Sequence, residues 1–181
     1  MTGLLLALSA ALLAGIGARD QTAMARLAGA QGARPSAWVI GVSVSFATAA
    51  LAVWAAVSIA PLLPAHGLAL LAGLATALAG VEMLAAVPGP APKEPTNSLG
   101  ALAFVLIAHQ LTDATRLLTF AIALLAASPV LAGIGGALGG ALSLSAAWLA
   151  PQVFGNARLR VWRRIVGAVL LATAAVWLLA L

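Results

Sequence analysis

Polar and charged side chains interrupt an apolar stretch near the middle of the chain. The segment LIAHQLTDATRLLTF, residues 106–120, carries Gln110, Asp113 and Arg116 at intervals of three. On a continuous helix this spacing places the three side chains along one face. Amide, carboxylate and guanidinium groups on one face can bind an ion, carry a proton or pair with one another. Asp113 is therefore a candidate for ion or proton binding, or for a structural ion pair.

A second polar cluster lies near the start of the chain, within GARDQT at residues 17–22. Offsetting the two halves of the chain by 93 residues aligns Asp20 with Asp113. The same offset aligns Thr22 with Thr115, whose hydroxyls could ligate an ion or bond back to the preceding helical turn. The repeated Asp and Thr predict that the two clusters occupy equivalent places in the fold.

The composition is that of a membrane protein. Of the 181 residues, 64% are hydrophobic and 7% are charged, and the mean hydropathy is +1.13. A soluble domain of this length needs more polar surface than this chain has. The basic residues lie beside apolar segments, where they set topology, so we expect no nucleic-acid partner. The chain has no cysteine and no nucleophile–base set, so we expect neither an enzyme nor a bound cofactor.

Prolines mark the ends of the apolar segments, because proline is most easily placed at helix boundaries. Six segments each have about the 20 residues that cross a ~30 Å hydrocarbon core. They span 2–30, 36–60, 65–87, 97–127, 130–150 and 158–181. Three crossings in each half make the halves enter the membrane from opposite sides. The predicted fold is an all-α membrane protein with six transmembrane helices in two inverted three-helix repeats, 1–87 and 99–181, joined by a Pro-rich cytoplasmic linker at 88–98.

The basic residues indicate one orientation in the membrane. Arg26 and Arg34 follow segment 1, Lys93 follows segment 3, and four arginines at 158–164 follow segment 5. By the positive-inside rule these connections are cytoplasmic, so both termini face away from the cytoplasm. We expect the chain to reside in a bacterial inner membrane.

The two polar clusters resemble the motifs of a known family. The small cation/proton exchangers include Golgi manganese and calcium transporters and bacterial manganese exporters, and were long catalogued as uncharacterised protein family sixteen. They have two inverted three-helix repeats, and the first helix of each carries Glu, an apolar residue, Gly, Asp, Lys or Arg, and Thr or Ser. Here QLTDAT at 110–115 and GARDQT at 17–22 stand in those places. The resemblance covers nearly the whole chain, and it implies a divergent member that lacks both motif glutamates.

The resemblance implies secondary transport of a small cation, Mn²⁺ or Ca²⁺, in exchange for protons by alternating access. Acidic residues of the family bind the divalent ion at the repeat interface, so Asp20 and Asp113 would be the metal ligands here. The implied partners are the lipid bilayer, the inorganic ion and protons. The ion-binding residues would be Asp20, Thr22, Gln110, Asp113 and Thr115.

The neighbouring charges leave alternatives open. Arg19 and Arg116 are candidates for gates or ion-pair partners of the aspartates, and together they cancel the two acidic charges, which suits a divalent cation poorly. The chain could instead be a non-transporting scaffold or accessory protein locked by Asp–Arg pairs, or a transporter of an anionic or zwitterionic solute. His109 is either a proton relay or structural. Glu82 is either a relay or the partner of a neighbouring basic side chain.

Overall fold

The structure, a computed structural model, describes residues 1–85, 98–154 and 158–181, and the regular elements in these ranges are helices. The predicted linker at 88–98 lies outside these ranges except for Ser98. The helices are α1 Thr2–Gly15, α2 Arg19–Gln31, α3 Pro35–Ile59, α4 Ala65–Ala85, α5 Leu99–Leu111, α6 Ala114–Leu125, α7 Pro129–Leu149, α8 Pro151–Phe154 and α9 Arg158–Leu179. A short 3₁₀ turn at Ala60–Leu62 extends α3.

The described helices confirm the all-α class and are compatible with an integral membrane protein. Four helical stretches are long and apolar enough to cross a membrane, namely Pro35–Leu62, Ala65–Ala85, Pro129–Leu149 and Leu159–Leu179. The pairs α1–α2 and α5–α6 are bent by 59° and 55° at short breaks. By length and composition, the described part of the chain therefore has four helices that could span a membrane, or up to six spans if each bent pair is one span.

Segments 1 and 4 are broken helices, whereas the sequence predicted continuous ones. Between the end of α1 at Gly15 and the start of α2 at Arg19, Gly17 has a φ of +73°, which glycine adopts without a steric cost. At the second break the Asp113 carboxylate caps α6 by accepting a hydrogen bond from the Thr115 amide at 3.0 Å. A capping carboxylate satisfies an amide that the start of a helix leaves free. Both breaks place main-chain polar groups inside the bundle.

Glycines on α7 bring α1 into close contact. A Cβ added to Gly139 would lie 2.5 Å from the Ala11 Cβ and 2.9 Å from the Leu8 carbonyl oxygen. A Cβ added to Gly135 would overlap the main chain of Leu4. The two glycines are four apart and form one face of α7, so the α1 backbone packs where a larger side chain would stand.

Enlarging this face should separate the two helices. Gly139→Leu is expected to destabilise the protein by about 1–3 kcal/mol, because the new side chain must displace the main chain of α1. The measurement is the midpoint of thermal unfolding in detergent. Gly29→Leu is the matched control, since Gly29 is exposed on α2 and an added Cβ would meet only Pro151 at 3.9 Å. Equal midpoints for the two variants would contradict the expectation.

Candidate functional site

A small cavity lies where the two broken helices meet. The centre of a water-sized sphere can occupy a volume of about 10 Å³ inside this cavity. This is about the volume that a cavity needs in order to hold one water molecule. Gly15 and Gly140 form part of its wall. Its polar lining consists of Asp20, Gln110, Asp113, Thr115, Arg116 and Ser143. The structure thus brings four of the five predicted ion-binding residues to one cavity.

Thr22 is the predicted ion-binding residue that does not line the cavity. Its hydroxyl donates a hydrogen bond to the Arg19 carbonyl at 3.0 Å. This is the back-bonding to the preceding turn that the sequence left open as an alternative. Thr22 is buried and supports the first turn of α2.

Asp20 stands on the cavity wall in the first turn of α2. It is buried, and its Oδ1 accepts a hydrogen bond from the Gln21 amide at 2.7 Å. No basic side chain among the described residues lies within 4.0 Å of its carboxylate. The Gln21 side chain fixes the position of this turn, because it accepts from the Gly17 amide at 2.7 Å and donates to the Ser143 hydroxyl at 2.8 Å. Asp20 is therefore held in place by neutral groups.

Four charged side chains form a continuous network beside the cavity. Arg163 of α9 lies 3.3 Å from the Asp113 carboxylate and also pairs with Glu82. Glu82 in turn pairs with Arg19, whose Nε is 3.4 Å from Oε1. A second guanidinium nitrogen of Arg163 donates to the Ala14 carbonyl at 2.9 Å. The network connects α2, α4 and α9 with the capping residue of α6, and it leaves Asp20 outside.

The ion pairs differ from those considered from the sequence. Arg19 pairs with Glu82 and not with an aspartate. Arg116 has no carboxylate within 4.0 Å among the described residues. The hypothesis that Arg19 or Arg116 pairs directly with an aspartate is therefore wrong for this part of the chain. The Asp–Arg pair that the structure contains joins Asp113 to Arg163.

Arg116 is buried among neutral acceptors. Its Nε donates to the Thr48 hydroxyl at 2.8 Å, and Nη2 donates to the Ser45 hydroxyl at 2.8 Å. Nη1 donates to the Gly136 carbonyl at 3.0 Å, and Nη2 also reaches the Gln110 Oε1 at 3.2 Å. Buried charges are usually paired with an opposite charge. Here α3, α5 and α7 hold a guanidinium at the cavity wall by hydrogen bonds alone.

Arg163 is the site residue that sequence reasoning missed, because it was assigned to a basic connection that sets topology. It is only 2% exposed. Gly167 lies four residues later on the same helix face and packs closely on Met83 of α4, since an added Cβ would lie 2.8 Å from the Met83 Cβ. Arg160 and Arg164, also four apart, are exposed on another face. The pairing of an arginine with a glycine at this spacing is the signal that distinguishes the buried face.

The described residues contain no group of three or more His, Cys, Asp or Glu placed to hold a metal ion. The cavity offers the carboxylates of Asp20 and Asp113, and Arg163 already neutralises the second. Hard divalent cations prefer six or more oxygen ligands with several carboxylates. His109 is half-buried and its Nδ1 has no hydrogen-bond partner in the described ranges, so its relay role stays a prediction.

Comparison of the chain with protein-family models, curated proteins and solved structures finds no match. The resemblance to the cation/proton exchangers therefore stays a prediction. The features that bear on function are a partly buried network of charges and a small polar cavity, which lie at the breaks of two helices.

Proposed function

We propose that the protein is a proton-coupled secondary transporter of a small solute, which works by alternating access to the central cavity. The observation that carries this proposal is the Asp20 carboxylate. It is buried at a helix break, it lines the cavity, and it lacks a basic partner among the described residues. An ionisable side chain in such a place is expensive to keep charged and is a natural carrier of protons. Asp113 is less suited to this role because Arg163 holds it.

The two broken helices support transport. Irregular backbone at membrane depth is tolerated where it lines a cavity, and discontinuous helices form the substrate sites of many transporters. In this proposal the breaks allow α2 and α6 to tilt relative to α1 and α5. The chain would lie in a bacterial inner membrane with both termini away from the cytoplasm, as Arg26 and Arg34 indicate.

We also propose that residues 1–87 and 99–181 are inverted repeats. Each half contains a bent helix pair followed by two long helices. Arg19 and Thr112 are separated by 93 residues, the offset that aligns the two aspartates, and Arg19 Nη2 donates to the Thr112 hydroxyl at 2.9 Å. Equivalent residues that touch must lie beside the axis that relates the halves. This contact supports an approximate two-fold axis next to the cavity.

Transport is tested in proteoliposomes that contain a pH-sensitive dye. We expect solute gradients to drive proton movement through the wild-type protein, and Asp20→Asn to abolish the dependence of solute flux on the pH gradient. The solutes offered are the gluconate salts of Mn²⁺ and Ca²⁺, and sodium chloride and sodium fluoride. Thr76→Val is the control, because the Thr76 hydroxyl is buried, its hydrogen bond within the described residues goes to the Ala72 carbonyl, and it does not line the cavity.

Two results would contradict the proposal. The first is a solute flux through Asp20→Asn that still responds to the pH gradient as the wild type does. The second is the absence of any flux above that of empty liposomes, from protein whose folding is verified by its elution as a single species.

A second function has one observation in its favour. The network of Arg19, Glu82, Arg163 and Asp113 joins three helices and the cap of a fourth, and such a network can fix a single arrangement of the bundle. A folded protein that moves none of the solutes would favour a locked scaffold or accessory protein.

A further inference from the structure

We propose that the central cavity binds one small monovalent anion, of the size of fluoride or chloride, together with one proton on Asp20. This inference rests on the proposed proton-coupled transport and specifies its solute. It differs from the cation that the sequence resemblance implies, and it follows from the hydrogen-bonding groups and charges around the cavity.

The Gln110 amide presents unused donors to this region. Its Oε1 accepts hydrogen bonds from the Thr48 hydroxyl at 2.7 Å and from Arg116 Nη2 at 3.2 Å. Both of these groups can donate a hydrogen bond, so the amide atom that they contact is the oxygen. The other terminal atom of the amide is therefore the nitrogen, Nε2. Nε2 is buried and has no acceptor at hydrogen-bond distance among the described residues, although the Asp20 carboxylate lies near enough to interact with the Gln110 side chain. A buried amide nitrogen without an acceptor at full hydrogen-bond distance is costly, and an acceptor atom bound in the cavity would satisfy it.

The Arg116 guanidinium adds positive charge to the same wall. Its hydrogen bonds all go to neutral oxygens, so no acid in the described ranges neutralises it by contact. Gly140 makes room for it, because a Cβ at this position would lie 2.8 Å from Nη2. The helices that begin at Arg19 and Ala114 also direct the positive ends of their dipoles toward this region. These features favour an anion over a cation.

The charge balance explains why a proton must accompany the anion. The cavity wall and the adjoining network contain three acids and three arginines, of which Arg19 and Glu82 are partly exposed, and with His109 neutral the formal charge of this centre is zero. An anion alone would make the centre negative and would face the Asp20 carboxylate. A proton on Asp20 removes that repulsion, supplies another donor and restores neutrality, which a membrane interior favours. Among the charged and titratable groups on the elements around Asp20, those in the cavity wall or the adjoining network are Arg19 on α2, Glu82 on α4, His109 on α5, Asp113 and Arg116 at α6, and Arg163 on α9.

Exchange of a cation for a proton does not leave the centre electrically neutral. With the proton bound, the centre would carry one positive charge, and with a monovalent cation in its place it would carry the same charge. A divalent cation would raise the charge further. The cavity, with room for about one water molecule, also matches a single halide better than a larger organic or oxygen-rich anion.

Isothermal titration of the purified, full-length protein in detergent tests the inference. Sodium fluoride and sodium chloride are the probes, in gluconate buffers, with sodium gluconate and manganese gluconate titrated separately. We expect fluoride or chloride to bind with uptake of one proton per anion, measured from the heats in two buffers of different ionisation enthalpy. The affinity should fall tenfold per pH unit over the range in which Asp20 is ionised, because one proton is linked to one anion.

Three variants separate the inference from a general loss of structure. Asp20→Asn should bind the anion without dependence on pH, because its amide donates as a protonated acid would. Gln110→Leu should weaken binding roughly tenfold to a hundredfold, the usual effect of losing a hydrogen bond to a charged group. Thr76→Val should bind as the wild type does. Each variant is compared only after it elutes as a single folded species.

The inference is overturned if folded wild-type protein binds neither fluoride nor chloride, if manganese gluconate binds and the halides do not, or if Asp20→Asn keeps the wild-type dependence on pH. Its failure is distinguishable from failure of the transport proposal. Proton-coupled flux of Mn²⁺ or Ca²⁺ without halide binding would overturn the anion alone. Halide binding without flux of any solute would overturn transport alone.

Discussion

Arg163→Met is expected to lower the free energy of unfolding by about 3–5 kcal/mol, the usual cost of removing one partner from a buried ion pair. Arg163 is 2% exposed and contacts both Glu82 and Asp113. Without it, Asp113 has no basic partner in the described ranges, and the basic partner that Glu82 keeps there is Arg19, at 3.4 Å. Asp113, which is buried, and Glu82, which is partly buried, would then have to take up protons or draw in water. The measurement is thermal or denaturant unfolding in detergent, followed by tryptophan fluorescence.

A neighbouring residue provides a close control for this prediction. Arg164→Met makes the same chemical change one position along α9, on an exposed side chain, and should change stability by less than about 0.5 kcal/mol. Arg163→Lys should fall between wild type and Arg163→Met, because an ammonium group keeps the charge but cannot span both acids as a guanidinium does. If the two methionine variants unfold alike, the network does not stabilise the fold.

Arg116→Met is expected to affect transport far more than stability. Its partners are neutral, so the substitution leaves no acid without a contacting base. The substitution leaves neutral acceptors without a donor, which costs less than leaving a buried charge without its partner. Halide-driven proton movement in proteoliposomes should nevertheless fall roughly tenfold to a hundredfold, because the anion loses a charged donor. Unfolding is measured beside Arg163→Met, and Arg116→Met should retain more stability.

A larger effect of Arg116→Met on stability than on transport would change the interpretation of Arg116. A variant that unfolds as readily as Arg163→Met, or that transports halide as the wild type does, would make Arg116 a structural residue that holds α3, α5 and α7 together. Thr48→Val helps to separate the two roles, because it removes one acceptor of Arg116 but leaves the guanidinium at the cavity.

The helical segments were predictable because membrane lipid imposes simple requirements on length and polarity. Pro35 and Pro129 begin α3 and α7, where the missing amide is harmless. The breaks at Gly17 and Asp113 were not predicted, because no proline marks them and apolar residues flank each polar cluster. The conformation at Gly17 combines a local contact, from its amide to the Gln21 side chain, with a tertiary one, since a Cβ added to Gly17 would lie 3.1 Å from the Leu159 Cβ.

The polar residues of the site were predictable, but their partners were not. Charges inside apolar segments are rare enough to identify Asp113 and Arg116 from sequence. Which arginine meets Asp113 depends on the rotation of α9, because successive residues of an α-helix point about 100° apart. That rotation directs Arg163 into the bundle and leaves Arg164 exposed. The rotation of α9 is set by the close approach of Gly167 to α4. This packing contact joins two distant segments and cannot be predicted from either segment alone.

The position of Arg163 along the chain also bears on how the protein is made. It follows Asp113 by 50 residues and Glu82 by 81, so the ribosome produces both acids well before their counter-ion. Until α9 enters the bilayer, Asp113 has no contacting base in the described ranges and the base that contacts Glu82 there is Arg19, so a charge on Asp113 is costly in lipid unless water reaches it. Arrival of α9 supplies Arg163 to both acids. Insertion of this helix is thereby a condition for holding both acids as charged groups inside the bundle.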